Sequence, residues 1–142
     1  EAFLVDLENT YKNYSVVNHK FSKIKRSNKS IPSLISKTSN YKSYVENYNQ
    51  IKEMINMIDV FVSGNKSKKD IMEKDTETIS DRLSVAVRGI NSSYGPTSMQ
   101  ISSLNKAKSL ITEFDNMLKE LSLEFNKLKN QLEGELESLI LD

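Results

Sequence analysis

The chain has 142 residues, no Cys, a single His, a net charge of +1, and only four Gly and two Pro. So few turn formers argue against an all-β fold, and one imidazole without thiols excludes Cys-His nucleophilic pairs and metal sites built on those side chains. A single domain of this length buries about 68% of its unfolded surface, enough for a core without disulfide or metal staples.

The apolar residues recur three and four apart, the spacing that keeps side chains on one face of an α-helix. A first helix over residues 2–26 carries the stripe Phe3, Leu7, Thr10, Tyr14, Val17, Phe21, Ile24. Lys20, Lys23, Lys25 and Arg26 crowd its last turns, where cations meet the negative end of the helix dipole. Pro32 disfavours helix at Ile31 but suits the first turn of a second helix, expected over 32–62 and loosened at Ser36–Asn40. Its stripe is Tyr41, Tyr44, Tyr48, Ile51, Ile55, Ile58, Val62, and Gly64-Asn65 ends it in a left-handed cap.

A third, weaker helix is expected over 69–91, with Met72, Ile79, Leu83, Ala86, Val87 and Ile90 facing inward. Asp70, Glu73, Asp75, Glu77 and Asp81 lie around its start; without a Gly they do not form a calcium loop, and acidic residues favouring a helix N-terminus account for them. Tyr94-Gly95-Pro96 is the clearest turn, and Thr97-Ser98-Met99-Gln100 after it is a capping box. The fourth helix, 97–141, has the stripe Ile101, Leu104, Ala107, Ile111, Phe114, Leu118, Leu121, Phe125, Leu128, Leu132, Leu136, Leu139. The expected fold is therefore all-α: an elongated antiparallel four-helix bundle with one short helix and a long C-terminal one, forming a single domain over 1–142.

The last helix is longer than its partners, so part of its stripe should overhang or meet something beyond this bundle. Leu132, Leu136, Leu139 and Ile140 are the candidate interaction surface. Residues 1–71 carry +5 and residues 72–142 carry −4, which suggests that the halves attract each other. The opening Glu1-Ala2-Phe3-Leu4 enters the helical pattern with neither Met nor cap, as in a piece of a longer protein. No run of about 18 apolar residues occurs, so no helical membrane span is expected.

Chemistry-bearing patterns are sparse. His19 lies beside the first stripe among Lys and Asn, as a solvated histidine does, and the four Gly are too scattered to form a phosphate loop. The Glu-x-x-His motif of di-metal bundles is absent. No cofactor and no metal are expected, and the chain reads as no enzyme. Lys20 to Lys29 form a basic patch, but one patch at this pI disfavours nucleic acid as a partner. Tyr41, Tyr44 and Tyr48 occupy stripe positions, which favours core packing with hydroxyls at the rim over an aromatic binding platform. Asn13, Asn28, Asn65 and Asn91 begin N-x-S sequons of the kind chance produces in so Asn- and Ser-rich a chain.

Asp81-Arg82-Leu83-Ser84, the loop to Tyr94-Gly95-Pro96-Thr97 and the Leu-rich last helix resemble the C-terminal helical region of bacterial sortilin-like β-propeller proteins, which are often labelled glycosyl-hydrolase-like. Phe3-Leu4, Val17-Asn18 and Ile24-Lys25-Arg26 resemble the first helix of that region. One departure is that Leu123-Glu124 stands before Phe125-Asn126, where the family tends to carry Asp-Leu at a longer spacing. The resemblance implies a helical accessory region of an exported, cell-envelope protein (periplasm or cell surface), with the propeller upstream. The expected function is a non-enzymatic structural or protein-interaction domain, docking by apolar helix faces onto the rest of its parent chain or onto a partner subunit, with the oligomeric state left open. The alternative is the extracytoplasmic ligand-sensing bundle of a chemoreceptor or sensor kinase.

Overall fold

The computed structural model describes residues 2–64, 77–91 and 95–141, without the side chains of residues 89, 91 and 139–141. Its elements are α1 (Ala2–Asn28), α2 (Ile31–Ile35), α3 (Tyr41–Ser63), α4 (Ile79–Val87), a 3₁₀ turn (Arg88–Asn91) and α5 (Ser98–Leu141). The protein is an all-α bundle with one long C-terminal helix, and no strand occurs among the described residues.

α5 has 44 residues, about 66 Å at 1.5 Å per residue, and forms the spine. Its stripe from Leu104 to Leu132 is covered throughout, including Ala107, Phe114, Leu121 and Leu132, all at 0% exposure. Three elements share that work. α1 runs in the same direction as α5: Asp6 pairs with Lys108, Tyr14 meets Phe114, and Lys20 lines the same groove as Lys119. α3 runs the opposite way, with Tyr44 bonded to Glu135 while Ile51 and Met54 lie beside Glu120 and Leu123. α4 turns back onto the start of α5, where Ser103 donates to the Arg82 carbonyl at 2.7 Å. α3 and α4 thus cover successive stretches of the spine, and the overhang expected of the last helix does not begin until beyond Leu132.

The helix ends follow local chemistry. Thr97 and Gln100 form the expected capping box: Thr97 N–H donates to Gln100 Oε1 at 2.8 Å, and Gln100 N–H donates to Thr97 Oγ1 at 3.3 Å. Gly64 closes α3 at φ 81°, its N–H donating to the Val60 carbonyl, a conformation that costs Gly little. The helix expected over 32–62 is two helices, because residues 36–40 leave the helical path. Ser36 Oγ donates to the Ser33 carbonyl and Thr38 Oγ1 to the Ile35 carbonyl, both at 2.7 Å. Such side-chain bonds offer the backbone an alternative to the helical ladder.

Of the helix expected over 69–91, residues 69–76, with Asp70, Met72, Glu73 and Asp75, lie outside the described residues; residues 77–78 are not helical, and α4 begins at Ile79. Thr78 is extended (φ −81°, ψ 170°) and forms a second, reciprocal capping box with Asp81, which sets the start. Ile90 is 47% exposed rather than inward-facing, because the 3₁₀ turn from Arg88 advances each residue by 120° instead of 100°. Ile101 is likewise exposed, one turn before the spine meets its partners.

Candidate interaction surface

The four residues singled out at the end of the spine occupy different environments. Leu132 is fully covered by the chain's own core, so it is a packing residue of this bundle rather than a free contact. Leu136, one turn on, is only half-buried. The side chains of Leu139 and Ile140 lie outside the described residues, while the helix itself continues through Leu141. Coverage of the stripe therefore falls off between Leu132 and Leu136.

At that boundary, Glu135 ties the spine to the start of α3. Tyr44 Oη donates to Glu135 Oε2 at 2.5 Å, and Ser39 Oγ donates to Glu135 Oε1 at 3.4 Å. The Tyr44 hydroxyl is held above the usual tyrosine range, first by its hydrogen bond to the Glu135 carboxylate, then by burial, then by the carboxylate's charge. The tyrosines divide accordingly. Tyr44 and Tyr48 pack against the core as expected, whereas Tyr41 is 54% exposed. Tyr41, Val45, Tyr48, Pro32 and Ile35 line an apolar cleft of about 410 Å³ between α2 and α3.

The charged residues also differ from the simple attraction of two halves. Among the described residues the one ion pair joining them is Asp6–Lys108, in which the basic half supplies the acid. Lys25 pairs within its own half, with Asp59 at 2.9 Å, and lies over the Phe21 ring at 4.8 Å. Glu77 reaches Arg82 at 2.8 Å and Lys119 reaches Asp115 at 3.2 Å. Lys20, Lys23, Arg26 and Lys29 are exposed and form no ion pair among the described residues. His19 is exposed on α1, Asn13 is exposed in mid-helix and Asn28 is buried.

Among the described residues, no group of three or more His, Cys, Asp and Glu is placed to hold a metal, and no helix is long and apolar enough to cross a membrane. Comparison with family models, curated proteins and solved structures gave no match. The Tyr44–Glu135 tie escaped sequence reasoning. Its residues are 91 positions apart, and the only available signal was the placement of a Tyr on an apolar stripe opposite a helix rich in Glu.

Proposed function

We propose that this chain is a non-enzymatic interaction domain of a larger exported protein, acting by docking of helix faces. The observation that carries it is the end of the spine: Leu132 is sealed by the core, whereas Leu136, one turn on along the same heptad stripe, is only half-buried. A heptad position only half covered by the chain's own helices leaves room for a further helix to dock. The likeness of Asp81–Ser84 and Tyr94–Thr97 to the accessory region of sortilin-like propeller proteins supports placing the parent protein in the cell envelope and supplies the parent chain as the first partner to test.

Hydrogen exchange on the full gene product and on the isolated 142 residues tests this. Amides of residues 133–141 should exchange at least about tenfold more slowly in the full product, and Leu136→Asp with Leu139→Asp should abolish that protection while leaving helicity unchanged. Equal exchange in both forms would remove the parent chain as the docking partner.

A second reading, the sensor bundle, has the apolar α2–α3 cleft in its favour. It requires a small ligand whose binding is lost on Val45→Arg without loss of helicity.

A further inference from the structure

Outside its core stripe, α3 carries a second row at spacings of four, three and four: Gln50, Met54, Met57 and Phe61. On α5, the flank turned toward α3 carries Glu113, Met117, Glu120, Glu124 and Lys127, also three and four apart. The two rows border one groove, in which Gln50, Ile51 and Met54 lie across from Glu120, Leu123 and Glu124 around a cavity of about 420 Å³. From Gln50 to Phe61, or from Glu113 to Glu124, either wall is about 17 Å long, three helical turns. Met54, Phe61 and Met117 are half-buried against the core, whereas Leu123 is 72% and Met57 66% exposed. A single exposed apolar residue is ordinary on a protein surface. Here two of the three most exposed large apolar side chains among the described residues border a floor of partly covered ones.

The rims carry carboxylates. Glu113, Glu120 and Glu124 stand on the α5 side, and Glu46 and Glu53 stand beside the α3 row. All five are exposed, and none is in an ion pair among the described residues. Lys127, at one end, is the single cation of the two rows. The groove on the other side of the spine, between α1 and α5, carries both signs, with Lys20, Lys119 and Asp115 among Asn13, Thr112 and Asn116. The α2–α3 cleft has no charged residue in its lining. Of these three, only the α3–α5 groove joins an apolar floor to rim charge that is almost all of one sign.

Two helices with residues three and four apart present ridges and a groove that a third helix fits, and unbranched Met side chains adapt to its apolar face. An acidic or neutral occupant would take Glu113, Glu120 and Glu124 out of water with no counter-charge, whereas Lys or Arg along its edges would pair with them. We propose that the α3–α5 groove docks a basic amphipathic helix of a protein partner. Its apolar face lies on Met54, Met57 and Leu123, and its cations meet Glu113, Glu120 and Glu124. The proposal rests on the interaction-domain reading but uses a surface separate from Leu136 at the end of the spine.

Methyl NMR of the chain labelled at methionine tests it, with an amphipathic helical peptide of Leu and Lys, about four turns long, as the probe. The methyl signals of Met54, Met57 and Met117 should shift on titration. Met99 should not: it is 68% exposed but lies about 27 Å along the spine from Met117. A Leu and Glu peptide of the same length should leave all of them unmoved. Glu120→Lys with Glu124→Lys, and separately Leu123→Asn, should each weaken binding at least about tenfold with unchanged helicity. Glu133→Lys with Glu137→Lys, the same charge change at exposed positions farther along α5, should leave binding within about twofold of native. Absence of shifts, equal shifts at Met99, equal binding of the Leu and Glu peptide, or equal weakening by the Glu133 and Glu137 pair would each overturn the proposal. Protection of residues 133–141 in the full gene product is measured without the peptide, so docking by the end of α5 fails or stands separately.

Discussion

Phe114 of α5 meets Phe21 of α1 edge to face, with ring centroids 5.8 Å apart and planes at 86°. Tyr14 approaches the same ring from the preceding turns of α1, at 6.3 Å and 61°. Phe114 is fully buried and Phe21 is 2% exposed, so this triad is the bolt between the two longest helices. Edge-to-face pairs add about 0.5–1.5 kcal/mol to the burial of the rings themselves. Phe114→Ala should therefore destabilise the fold by about 3–5 kcal/mol in urea unfolding, and a loss under about 1 kcal/mol would show that the α1–α5 packing is not centred there.

At the start of α4, Thr78 and Asp81 satisfy each other's backbone N–H groups. Thr78→Ala should cost about 1 kcal/mol, with amide exchange accelerated mainly in Ile79–Arg82. A uniform acceleration over the whole bundle would mean that α4 unfolds only with everything else.

The Tyr44–Glu135 tie makes stability depend on alkaline pH. Folded Tyr44 holds its proton more tightly than an ordinary tyrosine, whose value is 10.0. Its contribution is complete below pH 10 and is lost as pH rises through the raised folded value, because the unfolded chain releases the proton first. Tyr44→Phe should cost about 1 kcal/mol at pH 8, and the gap from the native chain should narrow above pH 10. Unfolding curves at both pH values check this; a constant gap would remove Glu135 as the cause.

Neighbouring positions on the spine should respond in opposite directions. Gly134 is helical, and a Cβ there would meet nothing within 4 Å, so Gly134→Ala should raise stability by up to about 1 kcal/mol. Leu132→Ala, at a position with 0% exposure, should lower it by about 2–5 kcal/mol. Thermal melts of the two variants should bracket the native midpoint, and a neutral Leu132→Ala would return that residue to the docking surface.

Much of the fold was legible because its signals are local. The three-and-four spacing marked the helices, Thr97 with Gln100 and Gly64 marked ends, and Ser36–Asn40 marked the weak point that became the break between α2 and α3. The start of α4 was also written in Thr78-Ile79-Ser80-Asp81, a capping-box pattern outweighed by apolar periodicity upstream of it. The candidate site was less legible. Leu132 and Leu136 are equivalent on a heptad, yet one is sealed and the other half-buried, because only the reach of the other helices decides where coverage stops.

By itself, the sequence determined that the chain is helical, where the main apolar faces lie and how several helices begin and end, since backbone hydrogen bonding and side-chain periodicity act within a few residues. Only the tertiary structure decided that α1 runs alongside α5 in the same direction, that α3 and α4 share one side of the spine in succession, and that Tyr44 meets Glu135. A heptad stripe requires a partner but does not specify direction, register or which helix supplies it. Those follow from how helices of unequal length cover one long apolar face with the least of it left in water.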